Sequence, residues 1–319
     1  MEKFKVGDVV ARKSYDFDIL FKITKINSND IIELAGLSVR IIADSPDYDL
    51  KHISKEEVEK RLKTIEKSRH ERINRCYMNA CNNARKFNKY SNYNKYNNKQ
   101  YFKYYNGYNK GDNSAYNIRD QVTIDDVNIY KKDTVLKRPG TVLHLDGDFE
   151  YAQKCKESYK KMGMTAYIYT IPESEQYKQV YTLLQKIRPN ILILTGHDAF
   201  FKKRNDIYNI DNYKNSKYFI KSVLEARRYE HNLDNLVIFA GACQSYYEAI
   251  MAAGANFASA PKRVLIDMMD PLIVAETIAY TPVDEFVSIS NIISNTREGI
   301  SGVGGIQTRG AFRTGMPGL

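Results

Sequence analysis

Apolar and polar positions divide the chain into three stretches of different character. Over residues 3–53, short runs rich in Val, Ile and Phe are separated by turn residues such as Gly7-Asp8 and the cluster at 27–30. Short apolar runs with turn signals between them predict β-strands. We expect four or five strands here, forming a small SH3-like β domain over residues 1–53.

A charged helix is predicted next. Ser54 and Glu57 match a capping box, in which the hydroxyl and the carboxylate each satisfy a free backbone N–H of the first helical turn. The following pattern has a thin apolar stripe and predicts a solvated helix that runs to about residue 85. Residues 86–117 are built mainly from Asn, Tyr and Lys, and so few aliphatic residues cannot bury a core. We interpret residues 54–134 as this helix followed by a flexible linker.

From about residue 135, apolar runs alternate with amphipathic segments. This alternation predicts an α/β domain over residues 135–319, with a mainly parallel sheet flanked by helices. The runs ILILTG (191–196) and LVIFAGA (236–242) are the most apolar, as expected for central strands that are covered on both faces. The other predicted strands lie at 141–148, 165–171 and 255–260, and the predicted helices lie at 149–163, 174–187, 216–230, 245–254 and 270–279.

The net charge of +10 is concentrated in one stretch, because residues 85–119 hold eight basic side chains and one acidic side chain. Tyr interleaved with Lys can stack on bases and neutralise phosphates, as in proteins that bind single strands. The alternatives are a tyrosine-rich linker and a processing or cross-linking site. The linker interpretation is favoured, and nucleic acid is not expected as a partner.

Apolar runs and cysteines indicate a cellular setting. No apolar run approaches the roughly 20 residues of a membrane span, and the N-terminus lacks the apolar core of a signal peptide. We therefore expect a soluble, cytosolic protein that does not contact membranes. The four cysteines form neither a disulfide framework nor a zinc-binding pattern, so no metal or other cofactor is expected.

Reactive side chains follow the two most apolar strands. His197-Asp198 comes directly after the first and Cys243-Gln244 after the second. Active sites in open α/β sheets form beyond the carboxyl ends of the strands, and a neighbouring base promotes the thiolate of a cysteine. The pattern predicts Cys243 as nucleophile and His197 as general base. The alternative, a small buried cysteine and a hydrogen-bonded turn histidine, stays open at this point.

The order of the histidines narrows the choice of base. No histidine follows His231, so the partner of Cys243 must lie upstream. His231 precedes a strand and falls at the wrong edge of the sheet, and His144 lies inside a strand as a core or supporting residue. A histidine about 50 residues before the cysteine is the order found in caspase-like enzymes.

Several longer blocks along the chain carry a family resemblance. They are VGDVVARKSY, VLHLDGD, ILILTGHD, FAGACQSYYEAI, GANFASAPKRVLIDMMDP and VGGIQTRGAF. Together these blocks resemble the YabG family of sporulation-specific proteases of endospore-forming bacteria. The resemblance implies a caspase-like (clan CD) cysteine peptidase with Cys243 as nucleophile and His197 as base. It also implies cleavage after arginine in spore coat and cortex-associated proteins, in the mother-cell cytoplasm or associated with the spore coat.

Oxyanion stabilisation and arginine recognition call for further residues. The backbone N–H of Cys243 and the turn at Asp198 are the candidate oxyanion donors. In many clan CD enzymes a glycine follows the histidine, whereas here Gly196 precedes it.

An arginine at the cleaved position needs an acidic pocket, because a buried guanidinium must be paired. Asp146 and Asp148 end the first strand of the α/β domain, and Asp267 and Asp270 follow the cysteine-bearing unit. We favour Asp148 as the pocket acid, with Asp146 and Asp270 as further candidates. The alternative for Asp146-Gly147-Asp148 is a simple turn.

Other interpretations remain. A non-catalytic spore or nucleic-acid binding protein would use the β domain and the basic Tyr/Lys tract, and a thiol amidohydrolase would use the same sheet on small amides. Basic residues near 69–89 are candidate self-cleavage sites. The glycine-rich segment 299–312 lacks a P-loop ending and is interpreted as a flexible loop.

Overall fold

The computed structural model describes residues 4–27, 31–86, 136–201 and 206–315. The predicted Asn/Tyr/Lys-rich linker lies outside the described residues, apart from its first position. The strands are β1 (Val9–Arg12), β2 (Phe21–Ile26), β3 (Ile31–Gly36), β4 (Ile42–Pro46), β5 (Leu50–His52), β6 (Leu136–Arg138), β7 (Val142–Asp146), β8 (Ala166–Thr170), β9 (Ile191–Thr195), β10 (Val237–Ala240), β11 (Phe257–Ser259), β12 (Val303–Gly305) and β13 (Arg313–Gly315). The helices are α1 (Lys55–Lys86), α2 (Phe149–Lys161), α3 (Glu173–Ile187), α4 (Ser216–Tyr229), α5 (Tyr247–Ala252), α6 (Asp270–Tyr280) and α7 (Ile289–Asn295).

The N-terminal strands form one antiparallel sheet in the order β4-β3-β2-β1-β5. Along β3, buried and half-buried positions alternate, as expected when one face of a strand covers a core. The predicted number of strands is confirmed, and the SH3-like arrangement stays a prediction. The loop between β3 and β4, residues 37–41, forms isolated bridges to Asp198, which follows β9, and to Asp267, which follows β11.

Helix α1 begins and ends close to where the sequence predicts. The Ser54 hydroxyl accepts a hydrogen bond from the N–H of Glu57 at 3.3 Å. The expectation of a solvated helix is wrong for one face, because Ile73 and Cys76 are buried in the core of the α/β domain. Even the guanidinium of Arg69 is buried on this face, where it pairs with Asp267 at 2.8 Å. The thin apolar stripe is therefore sufficient to dock α1 on the domain.

The larger sheet has the strand order β12-β11-β10-β9-β7-β8. Strands β7 to β11 pair in parallel, and β12 is antiparallel to β11. Strands β9 and β10 are central, which confirms the expectation drawn from their apolar sequences, and the structure also places them next to each other. Every residue of both strands is buried because helices and loops cover both faces.

The glycine-rich segment near the C-terminus is more ordered than predicted. Residues 303–305 form the edge strand β12, and its two glycines pair with β11. A Cβ on Gly304 would lie 2.6 Å from the Tyr247 hydroxyl, and a Cβ on Gly305 would collide with the ring of Phe257. Glycine is required at both positions because the backbone runs directly against aromatic side chains.

Helix α6 crosses the core and buries a carboxyl group. Glu276 has no exposed surface, and neither of its carboxyl oxygens has a hydrogen-bond partner among the described residues. Burial raises the pKa of Glu276 to about 8, although the neighbouring Cys76 thiol acts in the opposite direction. The side chain is therefore neutral in the folded protein at neutral pH.

We expect Glu276→Gln to remove a pH-dependent loss of stability. Between pH 5 and 8 the unfolded chain ionises this carboxyl and the folded chain does not, so the free energy of unfolding falls as the pH rises. At about 1.4 kcal/mol per pKa unit, the wild type should lose on the order of 4 kcal/mol relative to Glu276→Gln across this range. Urea unfolding at each pH measures the difference. The exposed Glu157→Gln on α2 is the control, and an equal pH dependence in both variants would contradict the assignment.

Candidate active site

A tight turn after β10 carries Cys243. Gly241 has a φ of +111°, and a Cβ there would collide with the Ser259 hydroxyl. The Ala242 N–H donates to the Ser245 hydroxyl at 2.9 Å. The residue after the cysteine, Gln244, also has a positive φ, of +58°, which is uncommon for a side chain of this size. The turn is thus held in a strained conformation of the kind that is found at functional sites.

The thiol of Cys243 is fully buried. Its Sγ accepts a hydrogen bond from the N–H of Ile266 at 3.2 Å. Burial raises the pKa of the Cys243 thiol to about 12, and the Ile266 amide and the Arg40 charge only partly offset that effect. The side chain is therefore a protonated thiol in this conformation.

His197 is fixed through its backbone and packed through its ring. Its N–H donates to the Glu173 carboxyl at 2.6 Å, and its carbonyl accepts from the Asn215 amide at 2.8 Å. The ring centroid lies 5.4 Å from that of Tyr151, and Nε2 lies 3.7 Å from the Asp148 carboxylate. Burial lowers the pKa of His197, and Asp148 acts in the opposite direction. The imidazole is therefore neutral at neutral pH and available to accept a proton.

Glu173, at the start of α3, supports two loops of the site. A Cβ on Gly147 or on Gly196 would collide with its carboxyl group, so both glycines allow Glu173 to reach the N–H of His197. Burial raises the pKa of Glu173 to about 7. No sequence pattern indicated this role, because an acidic residue in the first turn of a helix is ordinary.

The side chain of Asp198 connects the loop of His197 to the turn of the cysteine. One carboxylate oxygen accepts from the N–H groups of Ala199 and Asn215, at 2.8 and 2.7 Å. The other accepts from the hydroxyls of Ser216 and Ser245, at 2.5 and 2.9 Å. Burial raises the pKa of Asp198 to about 6 despite these four donors. Because Ser245 belongs to the cysteine turn, this carboxyl ties the two strand ends together.

The two predicted oxyanion donors converge on a single point. The backbone N–H of Cys243 and the backbone N–H of Asp198 donate to the same oxygen, the carbonyl of Arg40, at 3.1 and 3.3 Å. The parallel pairing of β9 with β10 brings the ends of these strands side by side. The structure therefore places two backbone donors where one carbonyl oxygen can bind both.

Asp146 lies at the bottom of a pocket that holds a guanidinium. Its two carboxylate oxygens pair with Nη1 and Nη2 of Arg40 at 3.1 and 2.9 Å, and both residues are fully buried. The carbonyl of Met268 accepts from Nε and Nη2, and the carbonyl of Gly196 accepts from Nη1. The ring of Tyr151 lies 5.0 Å from the guanidinium carbon.

The negative charge and the hydrogen-bond acceptors of this pocket match the Arg40 guanidinium. All five N–H groups of the Arg40 guanidinium have an acceptor. The Arg40 charge keeps the pKa of the Asp146 carboxyl well below its usual range, although burial alone would raise it. This set of acceptors matches the five donors of an arginine guanidinium better than the three donors of a lysine ammonium.

Asp148 and Asp270, the other two candidate pocket acids, have different partners from Asp146. Asp148 caps α2 by accepting the N–H of Tyr151 at 2.9 Å, and it faces His197. Asp270 accepts the N–H groups of Asp267 and Arg297, and burial raises its pKa to about 7. In the described part of the chain, no hydrogen bond or ion pair joins either aspartate to the guanidinium.

One group behind the pocket has metal-ligand chemistry. The ligand atoms of His144, Asp146 and Cys155 lie within 4.8 Å of one another and are buried. Both oxygens of Asp146 already bind the guanidinium of Arg40, and burial raises the pKa of the Cys155 thiol to about 12. The three residues therefore suit a pocket that holds the Arg40 guanidinium, and they do not suit a metal centre. His144 lies beside Asp146, at 3.4 Å, in the supporting position expected from the sequence.

Arg40 and Tyr151 were missed by the reasoning from sequence. The one available signal was a single charge within the apolar run GLSVRIIA, where an unpaired arginine would be costly to bury. Tyr151 gave no signal, because an aromatic residue on an amphipathic helix is usually part of the core. Its hydroxyl donates to the carbonyls of Gly36 and Val39, in the loop that carries Arg40.

Comparison with known proteins identifies the class. The chain is a peptidase: it belongs to the YabG peptidase U57 family, whose sequence profile matches residues 5–317. The resemblance drawn from the sequence blocks is thereby confirmed.

The chain is similar to the sporulation-specific protease YabG of Bacillus subtilis (strain 168). The two are 37% identical over 319 residues, which covers 99% of this chain and 98% of that protein. These findings do not favour the non-catalytic alternative. No solved structure matches the chain. Within the described ranges, no helix is long and apolar enough to cross a membrane.

Proposed function

We propose that this protein is a sporulation-specific cysteine endopeptidase that cleaves after arginine, with Cys243 as nucleophile and His197 as general base. One observation carries the proposal: an arginine side chain fills the pocket of Asp146 while its carbonyl oxygen binds the backbone N–H groups of Cys243 and Asp198. This is the placement that a protease needs for the residue that precedes the cleaved bond.

In the proposed reaction, the arginine of the substrate takes the place of Arg40. His197 takes the thiol proton, and the Cys243 sulfur attacks the carbonyl carbon to form a C–S bond. The carbonyl oxygen becomes an oxyanion that the N–H groups of Cys243 and Asp198 stabilise. As the C–N bond breaks, His197 gives its proton to the leaving amine. It then removes a proton from water, and the hydroxide attacks the carbonyl carbon of the thioester. The C–S bond breaks, the new carboxyl terminus leaves, and the imidazolium returns its proton to the Cys243 sulfur.

Three acidic residues near the site have different roles in this proposal. Asp148, 3.7 Å from Nε2 of His197, would stabilise the imidazolium that forms during the reaction. Asp146 would bind the arginine of the substrate, so the preference for Asp148 drawn from the sequence is replaced by Asp146 in this proposal. Glu173 is a positioning residue, since it holds the backbone of His197 and does not reach the reacting atoms.

The biological setting is carried over from the family. We propose spore coat and cortex-associated proteins as substrates and the mother-cell cytoplasm or the spore coat as the location. In this proposal residues 135–319 are a caspase-like catalytic domain, residues 1–53 are an SH3-like domain that contacts it, and residues 54–134 connect the two.

Mapping the cleavage sites tests the specificity. An unfolded protein of known sequence is digested, and the new C-termini are identified by mass spectrometry. We expect C-terminal arginine, because lysine cannot satisfy both oxygens of Asp146 and the carbonyls beside it. The matched control is the same substrate with each cleaved arginine replaced by lysine, which we expect to be cut at least about 100-fold more slowly. Equal cleavage after lysine or after apolar residues would contradict the proposal.

A further inference from the structure

The segment that carries Arg40 lies in the candidate site as an added strand. On one side, the N–H of Arg40 donates to the carbonyl of Ile266 at 3.4 Å, and the N–H of Met268 donates to the carbonyl of Ser38 at 3.2 Å. Val39 and Asp267 form an antiparallel bridge between these bonds. Addition of an extended strand to an exposed backbone edge is a common way to bind peptides.

The other side of the segment is paired as well. The N–H of Ile42 donates to the carbonyl of Asp198 at 3.4 Å, and Ile41 bridges to Asp198 in parallel. The backbone of the segment is therefore hydrogen-bonded both before the Arg40–Ile41 peptide bond, at Ser38 and Arg40, and after it, at Ile42. A bound peptide substrate needs contacts on both sides of the bond that is cut, so the segment satisfies this requirement.

The loop that presents Arg40 is rigid at its base. The N–H of Gly36 donates to the carbonyl of Ile41 at 2.9 Å and closes residues 36–41 into a narrow loop between β3 and β4. The Tyr151 hydroxyl donates to the carbonyls of Gly36 and Val39 inside it. A preorganised loop loses little conformational entropy when it binds, which favours occupancy of the site.

The sheet behind the loop also covers the nucleophile. Cys243, Ala199 and Ile266 belong to the same buried apolar cluster as residues of the N-terminal sheet, including Phe21 and Leu34. Cys243 has no exposed surface, and Asp146 has none either. In this conformation a second peptide has no access to the sulfur or to the arginine pocket.

We propose that residues 38–42 are an internal pseudosubstrate: Arg40 fills the arginine pocket of its own chain and keeps the site closed until the loop leaves. The inference rests on the proposed function, because it assigns the pocket of Asp146 and the amides of Cys243 and Asp198 to the substrate. An ion pair that served stability alone would need the Arg40 side chain to reach Asp146. It would not need the Arg40 carbonyl to lie between those two amides.

The tethered loop competes with external substrate for the site of the same molecule. The loop is tethered, so its effective concentration at the site is high and external substrate binds only to the fraction of molecules in which the loop has left. The apparent rate constant for any reagent that needs the pocket is reduced by that fraction. Loosening the loop should therefore increase reactivity toward arginine-directed reagents.

The test uses the full chain and an arginyl chloromethyl ketone, which needs both the pocket and the thiol. We expect Arg40→Ala to be alkylated at Cys243 roughly tenfold faster than the wild type, or more, in mass-spectrometric time courses. Arg12→Ala is the matched control, because it breaks the ion pair with Asp49 in the same N-terminal sheet and leaves the loop intact. Equal acceleration in both variants would mean general loosening of the sheet and would overturn the proposal.

The second part of the test measures whether an added peptide protects Cys243 from alkylation. The peptide GLSVRIIAD, residues 36–44 of the chain, should protect Cys243 of Arg40→Ala from the reagent, and GLSVAIIAD should not. If Arg40→Ala does not fold, Arg40→Lys decides, since lysine keeps a charge near Asp146 but has only three donors. A folded Arg40 variant with an unchanged alkylation rate would overturn the pseudosubstrate.

Two outcomes separate the proposals from each other. A wild type that already cleaves after arginine, together with a folded Arg40→Ala that is no faster, removes only the pseudosubstrate. If neither protein cleaves any peptide after arginine and neither is alkylated at Cys243, the proposed function itself has failed.

Discussion

Replacing Cys243 with alanine should abolish peptide cleavage while the protein stays folded. The substitution removes the sulfur of the proposed nucleophile, whose own N–H is one of the two converging amides, and loss of a nucleophile typically lowers kcat by several orders of magnitude. We expect a fall in kcat/KM of at least about 1000-fold for an arginyl peptide. The unfolding free energy should change by about 1 kcal/mol, because only a small buried atom is removed.

A second buried cysteine provides the control for this variant. Cys76 lies on α1 against α6, where its thiol contacts the hydroxyl of Thr277 at 3.4 Å. Cys76→Ala deletes the same atom from a buried position remote from the sheet edge, so cleavage should persist at close to the wild-type rate. Full activity in Cys243→Ala, or loss of activity in Cys76→Ala alone, would rule out Cys243 as the nucleophile.

Replacing Asp146 with asparagine should remove the preference for arginine. In the wild-type chain this variant would also leave Arg40 buried without its partner, which lowers the free energy of unfolding by about 3–5 kcal/mol. A loss of activity could then not be separated from a loss of stability. The comparison is therefore made in the Arg40→Ala background, in which this ion pair is already broken in both of the proteins that are compared. There we expect Asp146→Asn to lower kcat/KM for arginyl peptides about 100-fold, since a bidentate charge-assisted pair is lost. Peptides that carry alanine at the same position should change little.

Asp148→Asn in the same background distinguishes the two aspartates. Asp148 faces His197 and caps α2, so its loss should change the pH dependence of kcat and leave the ratio of arginyl to lysyl cleavage intact. Asp148 raises the pKa of His197, and without it this pKa should fall further. The acidic limb of the pH profile should then move to lower pH. If Asp148→Asn instead loses the preference for arginine, Asp148 is the pocket acid.

The secondary structure of the α/β domain followed closely from the sequence. The helix predicted over 216–230 is observed at Ser216–Tyr229, and the strand predicted at 191–196 is observed at Ile191–Thr195. These elements are specified locally, because apolar periodicity and turn residues lie within the segments themselves. The edge strand β12 was missed, since its glycines carry no apolar pattern and pair only because Tyr247 and Phe257 leave room for a bare backbone.

The candidate dyad was named from the sequence, and it stays a prediction. The two most apolar strands had to be central, and active sites lie at the carboxyl ends of such strands, so Cys243 and His197 could be named without a structure. The acid of the pocket could not be named in this way. Asp146 and Asp148 are two residues apart, and only the folded turn sends one toward the guanidinium and the other toward His197.

The sequence by itself predicted most elements of the α/β domain, the central position of its two most apolar strands and the two residues that carry the proposed chemistry. Only the tertiary structure decided how Arg40, in a loop between two strands of the N-terminal sheet, meets the strand ends of the α/β domain. More than 100 residues separate Arg40 from Asp146, and about 200 separate it from Cys243. Local patterns hold no information on contacts over such separations, because these depend on which surfaces of the folded parts fit together.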